Sequence, residues 1–146
     1  MAKISGGGKL EAALREIAQK VSKPGTLRVG FLSDATYPDG TPVALVAAAN
    51  EFGTKRIPAR PFFRNMIAAK SDEWAPAIGH LLPQNGYDAP KVLAIAGDAI
   101  KGQLQQSIKD TNSPPLSPVT IANKGFDKPL IDTAHMINSV ASEVKE

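Results

Sequence analysis

Residues 10–32 read Leu10-Glu11-Ala12-Ala13-Leu14-Arg15-Glu16-Ile17-Ala18-Gln19-Lys20-Val21-Ser22-Lys23-Pro24-Gly25-Thr26-Leu27-Arg28-Val29-Gly30-Phe31-Leu32, and the hydrophobic period changes partway along them. Leu10, Ala13, Leu14, Ile17, Ala18 and Val21 recur at helical spacing, with Lys9, Arg15, Glu16, Gln19 and Lys20 on the remaining face. Pro24-Gly25 ends that amphipathic helix. From Thr26 onward Leu27, Val29 and Phe31 alternate with Arg28, Gly30 and Leu32, the period of a half-buried strand. Ahead of the helix, residues 1–8, with Gly6-Gly7-Gly8, read as a flexible leader.

Downstream, Ser33 to Pro42 is predicted as an exposed loop turning at Pro38-Asp39-Gly40. An alanine-rich helix runs from Val43 to about Phe52, with Gly53 placed to stop it. Pro58 and Pro61 then bias Ile57 and Arg60 towards extended backbone, and Pro61 suits the first turn of a new helix. That helix is expected to bury Phe62, Phe63, Met66, Ile67 and Trp74 before Pro76 kinks or ends it, with a loop at Pro83 to Gly86. Asp88 caps the longest helix, and Pro90 falls in its first turn. Val92, Ile95, Ala96, Ala99, Ile100, Leu104 and Ile108 give it an apolar stripe. Gly97 and Gly102 within it cost about 1 kcal/mol each against Ala and suggest close packing of another backbone. Residues 110–128 form a long irregular loop with prolines at 114, 115 and 118. A short helix starts near Asp132-Thr133 and runs through Met136, passing into a strand in which Val140, Ser142 and Val144 alternate with Ala141, Glu143 and Lys145.

The 146 residues fit one soluble domain spanning 1–146, long enough to bury roughly 70% of the surface that the unfolded chain exposes. The absence of cysteine excludes thiol catalysis, zinc thiolate sites and disulfide scaffolds. The longest apolar stretch, Val43 to Ala49, is far short of the ~20 residues that cross a bilayer, and the N-terminus lacks the apolar run of a secretory signal. Residues 1–70 hold 11 basic and 5 acidic side chains, a net of +6; residues 71–146 hold 6 and 9, a net of −3. Segregated charge of this kind suits subunits that meet head to tail, or is an ordinary solvated surface.

A search for chemistry yields little. Gly6-Gly7-Gly8-Lys9 lacks the preceding strand, the earlier glycine and the following Ser/Thr of a phosphate loop. His80 and His135 lie 55 residues apart without a zinc spacing. Asp72-Glu73 are adjacent, so on a helix they point apart and cannot share a substrate. No Gly-x-Ser-x-Gly elbow is present. No catalytic residue, cofactor site or metal site is therefore expected, and the chain reads as a non-enzyme. The densest unusual stretch is Asn50-Glu51-Phe52-Gly53-Thr54-Lys55-Arg56-Ile57-Pro58-Ala59-Arg60-Pro61-Phe62-Phe63-Arg64. Its cations Lys55, Arg56, Arg60 and Arg64, stiffened by two prolines, suit the phosphates or carboxylates of a partner. They equally suit a rigid helix connection whose arginine stems cover apolar surface.

The string Val46-Ala47-Ala48-Ala49-Asn50-Glu51-Phe52-Gly53-Thr54, followed by Ile57-Pro58-Ala59-Arg60-Pro61-Phe62-Phe63-Arg64, resembles a signature of the tailed-bacteriophage neck and tail-completion proteins, the head-tail joining or virion morphogenesis group. Leu116-Ser117-Pro118-Val119-Thr120-Ile121-Ala122, then Lys124-Gly125 and Lys128-Pro129-Leu130-Ile131-Asp132-Thr133, is similar to that group's second block, although Ala134 stands where the group commonly has Gly. The resemblance covers roughly residues 43–140. It implies an α+β subunit, helices packed on a small antiparallel or mixed sheet, repeated as a homo-oligomeric ring around the DNA channel. It further implies a virion protein made in the bacterial cytoplasm, with the head connector and the tail terminator or tail-tube proteins as partners and double-stranded DNA passing through without sequence-specific contact. No membrane partner is implied. A tail-terminator or tail-tube subunit and a small nucleic-acid-binding module are the alternative readings. The latter rests on the basic first half and lacks a stacking platform.

Overall fold

The computed structural model describes residues 7–23, 25–111 and 135–146. Among the described residues five helices and two strands follow one another: α1 (Gly7–Ser22), β1 (Thr26–Phe31), α2 (Val43–Phe52), α3 (Phe62–Gln84), α4 (Ala89–Asp110), α5 (His135–Asn138) and β2 (Val140–Lys145). The class is α+β. β1 and β2 form an antiparallel pair in which Thr26 faces Lys145 and Phe31 faces Val140.

The alternation in β1 works as the sequence predicts. Leu27, Val29 and Phe31 lie opposite Val144, Ser142 and Val140 on the face that α4 covers, while Arg28 reaches Glu143 at 3.7 Å on the other. α4 is therefore the central element, packed on the sheet by one side and on α3 by another. Gly97 makes that approach possible. A Cβ there would stand 2.7 Å from Leu27 Cδ1 and 3.1 Å from Ser142 Cβ. What Gly97 meets is side chains of β1 and β2, not the backbone the sequence suggested, and Gly102 meets nothing within 4 Å. The core joins Val43 and Ala47 of α2, Phe62 and Met66 of α3, Ile100, Leu104 and Ile108 of α4, Met136 and Ile137 of α5, and Val140. Ile67 and Ile95, expected inside, are partly exposed.

Several element boundaries depart from the sequence reading. α1 begins at Gly7, so the last glycines of the expected leader are helical. α3 neither ends nor breaks at Pro76, and it continues past Pro83 to Gln84. Proline removes the bond to the carbonyl four residues earlier. Here those carbonyls belong to Asp72 and Gly79, both exposed, so water can take the lost donor's place. The helix closes with Gly86 at φ 63° and the Tyr87 amide donating to the Leu82 carbonyl at 2.8 Å, the left-handed stop that frees Asp88 to cap α4. Asp88 Oδ1 accepts from the Lys91 amide at 3.2 Å. The helix near Asp132-Thr133 is described from His135 and gives way to β2 at Val140. Most of the 110–128 loop lies outside the described residues. No described helix is long and apolar enough to cross a membrane.

Candidate functional site

The stretch from Asn50 to Arg64 folds as one corner between α2 and α3. α2 buries Val43, Ala47 and Glu51 at a spacing of four, so its inner stripe ends on a carboxylate. Gly53, at φ 76°, turns the chain out of the helix, and its N–H donates to the Ala49 carbonyl at 2.9 Å. Only glycine fits here. A Cβ would lie 2.8 Å from the Ala59 nitrogen and 3.0 Å from the Ile57 oxygen. Thr54 then closes a tight loop: its N–H donates to the Ile57 carbonyl at 2.7 Å, and its Oγ1 accepts from the Arg56 and Ile57 amides at 3.2 and 3.0 Å. The returning strand is pinned where the Arg60 amide donates to the Asn50 carbonyl at 2.6 Å, and Asn50 Nδ2 donates to the Val46 carbonyl at 2.9 Å.

Pro61, at φ −79° and ψ 60°, forms an inverse γ-turn in which the Phe62 amide donates to the Arg60 carbonyl at 2.8 Å. Pro61 therefore stands just before α3 and not in its first turn. It supplies no side-chain cap, and the first amides of α3 find their acceptor in Glu51. Phe63 N–H donates to Glu51 Oε2 at 2.9 Å and Arg64 N–H to Oε1 at 3.0 Å. Arg64 Nε adds a bond to Oε1 at 2.8 Å, and its Nη2 bonds the Glu51 carbonyl at 2.8 Å. One buried carboxylate thus receives two helix N–H groups and a guanidinium, which offsets its desolvation. The Arg64 guanidinium carbon also stands 5.0 Å from the centroid of the Phe52 ring.

The four predicted cations thereby separate into three situations. Arg64 is held within the chain by Glu51. Lys55 and Arg56 are exposed on the tight loop. Arg60 is only 6% exposed, yet its Nη1 makes one long bond of 3.4 Å to the Pro58 carbonyl and its Nε has no partner. Burial pushes its guanidinium below the ordinary arginine value. Among the described residues no carboxylate pairs with it. Phe52 is 67% exposed, and beside it Phe31, Ala44, Ala48, Phe62 and Phe63 line an apolar groove of about 290 Å³. Phe62 itself is in the core, and Ala59 lines a separate groove between α3 and α4.

Glu51 is the residue whose role sequence reasoning missed. Its signal was present in the spacing from Val43 and Ala47, and in its being the one carboxylate among four cations. Asp132 and Thr133, the remaining signature residues, lie outside the described residues. Elsewhere His80 meets Gln84 at 2.9 Å, and a His135 ring nitrogen lies 2.7 Å from the Thr36 carbonyl, tying α5 to the loop after β1. No group of three or more potential metal ligands occurs among the described residues. No family model matches the chain, and neither a curated protein nor a solved structure matches it.

Proposed function

We propose that the chain is a structural subunit of a tailed-phage neck, repeated as a ring that completes the tail and joins it to the head connector. The observation that carries this reading is the state of Arg60. A buried cation with an unpaired Nε and one long bond, from Nη1 to the Pro58 carbonyl, costs folding free energy that the described chain offsets little. A partner that opens the corner on assembly and supplies a carboxylate would offset that cost. The corner around it is fixed by Gly53, Thr54, Glu51 and Pro61, so little conformational entropy remains to be lost on docking. Exposed Phe52, Lys55 and Arg56 rim the same corner, an arrangement of aromatic anchor and polar edge that suits a protein interface.

In a head-to-tail ring each subunit offers two different faces, and the charge difference between residues 1–70 and 71–146 favours that arrangement. The role involves no catalytic turnover. The test is electron microscopy of assembled particles carrying a tagged copy of the chain. Density for the tag at the head-tail junction is the expected outcome. Tag density in the capsid shell, or its absence from particles, overturns the reading.

A further inference from the structure

The apolar groove beside Phe52 rests on a series of aromatic rings. Phe31 meets Phe62 edge-on with centroids 6.3 Å apart, and Phe62 meets Phe63 at 6.4 Å. Phe31 and Phe63 are only half-buried, and the wall that α2 supplies is Ala44 and Ala48, whose small side chains leave the rings reachable. At about 290 Å³ the groove falls just under the range of pockets for free ligands, roughly 300–1,000 Å³, and holds one large side chain. α2 itself carries no charge before Glu51, and Leu45, Ala48 and Phe52 are exposed on it. A helix apolar on every side is one whose outer face is covered in the working assembly.

The surroundings of the groove define the charge of what covers it. Two polar residues line it, Glu51 and Arg64. Glu51 is spent, since both carboxylate oxygens already accept bonds from the Phe63 and Arg64 amides and from Arg64 Nε. Arg64 is not. Its Nε and Nη2 bond Glu51, its Nη1 makes no hydrogen bond among the described residues, and 54% of its side chain is exposed. The loop after Phe52 adds exposed Lys55 and Arg56, and buried Glu51 is the only acidic residue in 40–71. All the exposed charge of that stretch is therefore positive.

We propose that this groove binds an acidic segment of a partner protein, with an aromatic side chain seated on the Phe31, Phe62 and Phe63 rings and a neighbouring carboxylate paired with Arg64. Offset and edge-to-face contacts with the rings favour an aromatic anchor. A guanidinium already fixed on Glu51 points its remaining N–H groups in a set direction, so little entropy is lost when a carboxylate arrives. A nucleic acid would satisfy the cations and not the groove, because a base brings donors and acceptors that alanine walls and a spent carboxylate cannot meet. The inference rests on the reading of this corner as a protein interface and adds the chemistry of the partner.

The probe is the peptide acetyl-Ser-Asp-Phe-Asp-Glu-Ser-amide, titrated into the isotope-labelled chain and followed by NMR of the backbone amides. The expected result is shift changes centred on Ala44, Ala48, Phe52, Phe63 and Arg64. Affinity should fall about tenfold when the acids become Asn and Gln, and about tenfold when Phe becomes Ala. Phe52→Ala should weaken binding by a similar factor and keep the fold, because that ring is largely exposed. Lys55→Gln with Arg56→Gln should weaken it at low salt and much less at high salt. Gln106→Ala, in the separate groove between α3 and α4, should leave it unchanged. Binding is read without particles, so a failed titration leaves the tagged-particle test standing, and a tag absent from the junction leaves the groove standing. No shift changes at millimolar peptide, or equal binding of the neutral peptide, overturns the proposal. So do changes at the same amides on concentrating the chain alone, which would assign the groove to a second copy, or tighter binding of an oligothymidylate there.

Discussion

Glu51 and Arg64 form an ion pair whose two halves are unequal. Glu51 is buried and accepts two amides of α3, whereas about half of the Arg64 side chain is open to solvent. Glu51→Ala strands two helix N–H groups and a guanidinium and should cost roughly 2–4 kcal/mol. Arg64→Ala leaves the amide bonds in place and should cost about 1 kcal/mol. Urea denaturation of both variants checks the asymmetry; equal losses would mean that the pair, and not the cap, holds the corner. Arg60 separates stability from assembly. Arg60→Met removes an uncompensated buried charge at similar volume, so it should be neutral to stabilising by about 1–4 kcal/mol. On the neck reading proposed above, the same variant should yield particles whose heads and tails fail to join. Normal yields of infectious particles would remove the ground for reading Arg60 as an interface residue. Gly53→Ala should cost roughly 1–3 kcal/mol through its positive φ alone, with the contact at Ala59 adding to it, whereas Gly102→Ala should gain about 0.5–1 kcal/mol. Thermal unfolding distinguishes the two glycines.

Among the elements, those announced by local chemistry were legible in the sequence. The change from helix to strand between Ser22 and Thr26, the stop at Gly53, the Asp88 cap and the close approach at Gly97 all stand where the residues put them. The first three depend on neighbours within a few positions, whereas Gly97 meets Leu27 and Ser142 far along the chain. What the sequence did not reveal depends on solvent or on distance. α3 passes through Pro76 and Pro83 because the carbonyls they orphan face water, a fact about the helix's orientation. Glu51 caps α3 because that helix starts eleven residues later at a particular angle. In the corner, Pro58, Pro61 and the cations were legible as a rigid connection, but not which cation would find a carboxylate. Pro76→Ala restores a helix N–H in an exposed interior and should stabilise α3. A raised unfolding midpoint with unchanged helix content is the expected observation, and a lowered one would assign Pro76 a packing role.

For the molecule as a whole, the core is made of residues between Leu27 and Val140, and α1 stands outside it. Removing residues 1–22 should therefore leave the denaturation midpoint of the remainder nearly unchanged. Removing residues 140–146 should abolish cooperative unfolding, because β1 loses its hydrogen-bonding partner and the core loses Val140. Circular dichroism with urea titration reads both. A cooperative transition after the second truncation would show that the helices alone carry the fold.

The pairing of Thr26 with Lys145 has a consequence for biosynthesis. At about 5–20 residues per second, β1 emerges from the ribosome on the order of ten seconds before the strand that completes it. During that interval α3 and α4 can already form their hairpin, since their contacts are local, while Leu27, Val29 and Phe31 wait with an unpaired edge. The nascent chain thus passes through a stage in which its helices are built and its first strand is a template for the wrong neighbour. Slowed translation between residues 31 and 140 should lengthen that exposure and lower the soluble yield.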